Sequence, residues 1–451
     1  MSRQRRVVEA TALDEHGAGV GRDGATTFHI ANLLPGERAE VGIDHQSPHA
    51  ARAWGHVVSR IGKASADRVA PACPQFGRCG GCTWQHLSYG AQLREKRDRV
   101  ATALAGVPAV ARGKVHVADV VPSRATLGYR NKGKYVAGLV EGRYVLGAYA
   151  PRSHAVVDTL GCRVVAPVID EVATWARGAA EASDLVPYDE VRGAGELRYV
   201  VIRANRGGDV LAGLVVTSAT PRRKLEQVAN GLARHPALRG LVAVRNDRRD
   251  GAILPSGSPA TVLVGSGTLP DHVAGVDVDV GIGEFLQVNP SQASAMYARV
   301  VELAAPTPKT RAIDLYAGVG GIAFALAAAG ADVVAIELDR DAVASLRRAA
   351  ARAGLERVRA EASDAALMAS ADADVVVVNP PRKGLAEAAL AAVVAAKPPT
   401  IVYVSCGPES LSRDLIQLWR GGWNPTAIEP FDLMPGTGQV ETVVHLSRTP
   451  S

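Results

Sequence analysis

No stretch of the 451-residue chain approaches the roughly 20 consecutive apolar residues that cross a bilayer, so no transmembrane helix is expected. The first residues, MSRQRRVVEATALDEHGAG, are basic but lead into no apolar run. That argues against a secretory signal and makes the cytoplasm the expected compartment, with no membrane partner. Cysteine is scarce. The five present are Cys73, Cys79, Cys82, Cys162 and Cys406, and an odd count in such a chain speaks against a disulfide framework. Internal repeats and low-complexity tracts are missing as well, which removes repeat architectures.

What is present describes an ordinary globular chain. Apolar residues make up 47% and charged residues 21%, and the length calls for two or three domains. The formal charge of +6 is only a weak hint of an anionic partner. Its distribution says more. Residues 61–134 carry thirteen Lys/Arg against four Asp/Glu, a local +9, so the remainder sums to −3. Such a segment fits a surface that neutralises phosphates, and equally a solvated basic face or the flank of an anionic cofactor.

Three textures succeed one another. Over residues 5–60, short alternating runs (VVEATAL, TTFHIA, RAEVGI, GHVVSR) separated by Gly-rich turns predict a small β-barrel. A Gly/Cys/Pro-rich piece occupies 61–82. Residues 88–105 then read as an amphipathic helix with Leu93, Val100 and Leu104 on one face. From about 115 to 280, runs such as LRYVVIRAN and VLAGLVVTS predict an antiparallel-rich α+β region. After 285 the runs TRAIDLYAG, ADVVAIELD, ADVVVVNPP and PTIVYVSCG alternate with Ala/Leu-rich helices, the pattern of a buried parallel sheet. The expected class is α/β, with domains at 1–62, 63–280 and 281–451.

The chemistry concentrates at the ends of those last strands. Asp314-Leu-Tyr-Ala-Gly-Val-Gly-Gly321 closes the first strand and opens a helix, with Gly318 and Gly320 permitting a tight turn close to a ligand. Glu337 ends the next strand, nineteen residues after Gly318, where a carboxylate can accept from ribose hydroxyls. The same glycines with Ala323 also fit a dinucleotide fingerprint, so an NAD-linked oxidoreductase stays open at this point. Asn379-Pro-Pro-Arg-Lys-Gly384 comes after the next strand, and prolines there would present a polar side chain rigidly.

Cys406, in Val-Ser-Cys-Gly-Pro-Glu409, lies at a strand end before a helix, where the dipole is expected to stabilise a thiolate. Glu441 heads the apolar strand VETVVHL, a costly place for a carboxylate without a role. The other four cysteines, spaced C-x5-C-x2-C with Cys162 distant, could hold zinc or an iron–sulfur cluster. Gly128-Tyr-Arg-Asn-Lys-Gly-Lys-Tyr135 interleaves aromatic and basic residues as RNA-contacting loops do.

Taken together, FLQVNP (285–290), DLYAGVGG (314–321), NPPRKG (379–384), SCGPESLSRDL (405–415) and DLMPGTGQVETVVHL (432–446) resemble the RNA uridine-C5 methyltransferases, which make 5-methyluridine in ribosomal and transfer RNA. The resemblance implies a Rossmann-like class I methyltransferase domain using S-adenosylmethionine. It implies Cys406 as nucleophile, Glu441 as base, and Gln287, Tyr316, Gly318, Gly320, Glu337 and Asn379 around the donor and target base. Residues 1–62, notably Leu34-Pro-Gly-Glu37, resemble a TRAM RNA-binding barrel. Cys73, Cys79, Cys82 and Cys162 resemble the [4Fe–4S] site of the ribosomal branch. The partner would be RNA, 23S rRNA ahead of tRNA, and the chain a monomer. Asn379 stands where the family commonly has Asp, and Gly321 where a polar side chain is frequent. A non-catalytic RNA-binding protein on the same fold is the third alternative.

Overall fold

Alternating burial builds the first sheet. The computed structural model describes residues 5–250, 252–255, 257–368 and 372–448. Its first strands are β1 (Arg5–Glu9), β2 (Ala12–Leu13), β3 (Ala18–Asp23), β4 (Thr26–Ala31), β5 (Arg38–Gln46) and β6 (Arg52–Ile61). They pair in the order β1-β5-β6-β4-β3-β2. The outermost strands, β1 and β2, are joined through Ala10 and Thr11, so the sheet curls until its edges meet, and Thr11 N–H donates to Val20 O. Phe28 and Ile30 alternate inward on β4 and fill the barrel with Val8, Leu33 and Val41. Glu37 fastens this barrel to the segment around Ser65 and Arg68. Its buried carboxylate takes two hydrogen bonds from Arg68, at 2.6 and 2.7 Å, and others from the Leu34 and Ser65 N–H groups. Those donors outweigh burial and hold its pKa down to about 2.

Helix α1 (Tyr89–Leu104) is capped by the Ser88 hydroxyl, and α2 (Pro108–Ala111) comes next. The buried stripe of α1 includes Gln92, Lys96, Val100 and Leu104, spaced four apart. Leu93, expected on that face, is only half-buried. Two polar residues displace it because both find partners inside. Val100 and Leu104 belong to the core under the C-terminal sheet.

The central sheet takes β7 (Lys132–Val140), β8 (Arg143–Tyr149) and β9 (Val156–Asp158). After α3 (Pro167–Ala182) come β10 (Leu197–Ala204) and β11 (Val210–Val216), then α4 (Arg222–Leu232), β12 (Leu238–Arg245) and β13 (Ala260–Gly265). The order is β13-β12-β11-β10-β7-β8-β9, antiparallel throughout except between β11 and β12. Both faces of β10 and β11 are covered, which is why their runs read as continuously apolar. A hairpin, β14 (Thr268–Val273) and β15 (Val276–Gly281), leads out.

The last sheet begins after α5 (Pro290–Ala304). Its elements are β16 (Arg311–Leu315), α6 (Gly321–Ala328), β17 (Asp332–Glu337), α7 (Arg340–Arg352), β18 (Val358–Ala362) and β19 (Val375–Val378). They continue with α8 (Glu387–Ala396), β20 (Thr400–Ser405), α9 (Pro408–Arg420), β21 (Trp423–Phe431) and β22 (Glu441–Arg448). The order is β18-β17-β16-β19-β20-β22-β21. Six strands run one way, five of them paired in parallel, while β22 inserts antiparallel between β20 and β21. Apolar cores cover both faces. Strand order reverses between β16 and β19, and a doubly wound sheet leaves its ligand crevice there, at the carboxyl ends. The class expected from the sequence, α/β with a small β-barrel and an α+β region in front, is the one observed. Among the described residues no helix is long and apolar enough to cross a membrane.

Candidate active site

A cavity of about 420 Å3 opens at that reversal point. The chain leaving β16 turns through Tyr316 at φ +65°, Gly318 at +56° and Gly320 at +99°. A tyrosine in the left-handed region is strained, and here the Tyr316 and Ala317 N–H groups are both anchored on Ile336 O. The Glu337 carboxylate accepts from the Gly318 N–H at 3.0 Å and from the Asp339 N–H at 2.9 Å, which fixes the acid against the turn.

Gln287, Tyr316, Gly318, Glu337, Asn379, Cys406 and Glu441 all line this one cavity. Gly320 does not. A Cβ there would come within 2.8 Å of Leu346 and 2.9 Å of Phe324, so its smallness serves the turn and the packing of α6. Gly321 has a related reason. A Cβ would lie 2.8 Å from the Tyr297 ring, so that ring already fills the space of a side chain at 321. Asp314 is wholly buried beneath the turn. The Ala323 N–H favours its charged form but makes no hydrogen bond of ordinary length, and burial raises its pKa to about 8.

Cys406 comes directly after the last residue of β20 and Glu441 is the first of β22. Ser405 and Thr442 pair across the two strands, so Cys406 and Glu441 face one another one step beyond. The sequence expectation of a stabilised thiolate is not met. Burial, then the neighbouring Glu441 carboxylate, push the Cys406 thiol up to about 11, and the opposing pull of Arg382 is smaller. Burial likewise lifts Glu441 to about 8, again opposed by Arg382.

Arg382 escaped the sequence reading although it sits inside NPPRKG. It lines the cavity and donates to Gln439 Oε1 at 2.6 Å. The cavity wall from Asp432 to Val440 is held from outside the C-terminal sheet. Lys96 donates to Asp432 Oδ1 at 2.5 Å with both side chains wholly buried, and also to Met434 O at 3.1 Å. Gln92 Oε1 accepts from Gly436 N–H, Tyr129 O–H donates to Pro435 O, and Arg99 donates to Gly438 O. No local signal marks these contacts, because the partners are more than 300 residues apart.

Cys73, Cys79, Cys82 and Cys162 line a second cavity, of about 150 Å3, and none forms a disulfide. Among the described residues no group of three or more His, Cys, Asp or Glu side chains is arranged to hold a metal ion. Arg130, Lys132 and Lys134 border the same space, as does the buried, unpartnered Tyr135 hydroxyl. Lys132, expected on an RNA-contacting loop, is instead buried and donates to Ile282 O at 2.8 Å, with burial lowering its pKa to about 6.

A glycine turn and a strand-end acid on this sheet, beside a cysteine and an Asn-Pro-Pro tip, define a methyltransferase-type domain. Residues 282–397 match the family model described as the methyltransferase small domain. An uncharacterized RNA methyltransferase of Halalkalibacterium halodurans is 33% identical over 98% of this chain and 96% of its own length. Another, from Caldanaerobacter subterraneus subsp. tengcongensis, is 33% identical over 98% and 97%. The chain belongs to the RNA methyltransferase family. The NAD-linked alternative gives way to that membership. Among solved structures, the tRNA (uracil-54, C5)-methyltransferase of Pyrococcus abyssi, in complex with S-adenosyl-L-homocysteine, shares the fold. The TM-score is 0.76 at 22% identity, covering 98% of this chain and 100% of that one.

Proposed function

We propose that this enzyme methylates C5 of a uridine in RNA, with Cys406 as covalent nucleophile and Glu441 as general base. The observation that carries this reading is their meeting, on paired strands, in the cavity that also holds the Gly318 turn, Glu337 and Asn379. A volume of about 420 Å3 falls within the range of pockets for nucleoside-sized ligands. Bound S-adenosylmethionine would supply the methyl group as an electrophile on a sulfonium. Glu337 would accept from its ribose, with Tyr316 and Gly318 beside it and Gln287 and Asn379 toward the target base.

C5 of uracil is too weak a nucleophile to take that methyl unaided. Attack of the Cys406 thiolate on C6 forms the S–C6 bond and pushes the ring electrons into an enolate, whose density lies on C5. C5 takes the methyl and still carries its hydrogen. Glu441, as carboxylate, removes that proton, the C5–C6 double bond reforms, and the thiolate leaves. Arg382 favours the charged form of both groups.

The resemblance of Cys73, Cys79, Cys82 and Cys162 to the iron–sulfur site of the ribosomal branch supports a [4Fe–4S] cluster there over a single zinc. A cluster separates its thiolates around a core, and its negative charge would meet Arg130, which borders the space. Residues 1–62 would act as a TRAM-type RNA-binding barrel, 63–280 would carry the cluster, and 281–451 would hold the donor. We favour 23S rRNA over tRNA as substrate, and a monomer. The test is digestion of both RNAs from cells with and without the gene, then mass spectrometry of nucleosides. Loss of 5-methyluridine at one 23S position supports the reading; unchanged 5-methyluridine in both RNAs overturns it.

A further inference from the structure

Between β15 and α5 the chain runs as a strap, residues 282–289, that belongs to no sheet or helix. It carries Phe285 and Gln287 to the catalytic cavity, and the Phe285 carbonyl oxygen lies 3.9 Å from where a Cβ on Gly318 would stand. The strap therefore passes beside the Gly318 turn. What holds it there is the central sheet. Ile282 O accepts from Lys132 Nζ at 2.8 Å, Glu284 O from Arg203 Nη2 at 2.7 Å, and Val288 O from the Asn131 N–H at 2.9 Å. Lys132 and Arg203 are directly opposed on β7 and β10, so their side chains leave the same face of that sheet.

On that face Ile282 fills a socket. A Cβ at Gly213 would come within 2.7 Å of Ile282 Cγ1, so the glycine makes room for it among Val201, Leu211 and Val215. From the other side the Glu284 carboxylate pins the strap, accepting from the Gly281 N–H at 3.0 Å and from the Ser345 hydroxyl of α7 at 2.7 Å. Arg203 is wholly buried, and its Nε and Nη1 have no hydrogen-bond partner. Burial brings its pKa down to about 10, only partly opposed by Asp271 and Glu284. A guanidinium buried with unpaired donors costs stability, and an apolar side chain of like volume would fill the space for less. Stability does not account for Arg203; its side chain's one hydrogen bond, to the strap, does.

We propose that Arg203 and Lys132 are positioning residues: through the carbonyls of Glu284 and Ile282 they set the strap, and with it Phe285 and Gln287, against the Gly318 turn. Two grips two residues apart fix the strap in orientation as well as position. One wall of the catalytic cavity is then placed by the central sheet, from side chains 81 and 150 residues distant in sequence. A misplacement of about 1 Å in such a wall costs on the order of a hundredfold. This deepens the methyltransferase reading and rests on it for the identity of the ligand beside the turn.

The full-length protein is compared with Arg203→Met and Lys132→Met. Amide hydrogen exchange across 282–288 should speed up about tenfold or more in each, while β7 and β10 keep their protection. Affinity for S-adenosylhomocysteine should fall about tenfold or more. The urea midpoint should hold or rise, because a buried and poorly paired group has been removed. Arg203→Lys keeps a cation and a donor and should regain most of the affinity. Arg203→Gln, polar but too short to span to Glu284 O, takes the place of Arg203→Met should that variant fold poorly, with the same losses expected. Unchanged exchange in the strap, unchanged S-adenosylhomocysteine affinity, or a urea midpoint that falls in step with affinity each overturns the proposal. Methylation of RNA is read separately. The expected losses in a protein that never methylates uridine C5 leave the grip standing and sink the uridine reading. A protein that methylates C5 and is indifferent to the variants does the reverse.

Discussion

Cys406 and Glu441 face each other one step beyond the Ser405–Thr442 pair, and the carboxylate helps keep the thiol protonated. In the proposed roles of nucleophile and base each group has to be charged, so their proximity raises the demand on both. Arg382 is the nearby group that favours both charged forms, and it reaches the site from the strand-end tip that also carries Asn379.

Alkylation of Cys406 by iodoacetamide, read out by peptide mapping, should report this directly. The folded-state pKa lies above that of a free thiol, so the thiolate is scarce at pH 7. The rate should rise about tenfold per pH unit and level off only near 11. Glu441→Gln removes a like charge and should move the profile to lower pH, while Arg382→Ala should move it higher. A midpoint near pH 7, or a Glu441→Gln profile that coincides with the wild type, would show that the pair is not coupled.

The buried Lys96–Asp432 pair should separate stability from activity. Lys96→Met leaves an uncompensated carboxylate at a site with no exposure and should destabilise the fold by about 3–5 kcal/mol in urea titrations. Adding Asp432→Leu should recover most of that loss. Activity should not recover, because the Lys96 hydrogen bond to Met434 O is still gone and the cavity wall from Leu433 to Gln439 loses one of its anchors. A fall in kcat of about ten- to a hundredfold in the refolded pair is expected. Full activity there would mean that the wall needs no such support.

The fold class was legible because its signals are local. Val375–Val378 is a run of four valines, and Asp314–Gly321 is a strand end, a turn and a helix start in eight residues. Chemistry at strand ends was legible for the same reason: Glu337, Asn379 and Cys406 each close a β-branched run, Gly318 lies in the turn after a strand, and β-αβ winding brings such ends together. Three things were not. The electrostatics of Cys406 depends on depth and on an acid brought in by the antiparallel β22. The wall at 432–440 is held by α1, a helix from the other end of the chain. Lys132 and Lys96 look like surface cations in one dimension, and each is buried because a carbonyl or carboxylate waits for it inside.

The cysteine cavity touches that same wall. A Cβ at Gly436 would stand 3.1 Å from Gln85 and 4.0 Å from the Cβ of Cys82. If the proposed cluster is there, protein purified without oxygen should be brown, with about four irons per chain. Cys82→Ser should lose iron and also raise protease sensitivity at the 432–440 segment. Stoichiometric zinc in an iron-free, active preparation would remove the cluster. Iron loss with an unchanged cleavage pattern would leave the cluster and remove its link to the wall.

The proposed roles of Cys406 and Glu441 are best separated by stopping the reaction between them. A target uridine is stacked in folded RNA and has to swing into the cavity, at a cost of a few kcal/mol, before the sulfur can reach C6. Cys406→Ala should abolish turnover, since nothing else on the cavity wall can place electron density on C5. Glu441→Gln should stop later. Addition to C6 draws on the Cys406 thiolate, which loss of the Glu441 charge favours, and methyl transfer to C5 needs no base, whereas elimination needs the C5 proton removed, and an amide cannot take it. Glu441→Gln should therefore accumulate a methylated protein–RNA adduct that survives denaturing gels, labelled by tritium from the donor methyl. Cys406→Ala/Glu441→Gln should give none. Normal turnover by Glu441→Gln would strip Glu441 of its role, and an equally abundant adduct in the double variant would strip Cys406 of its own.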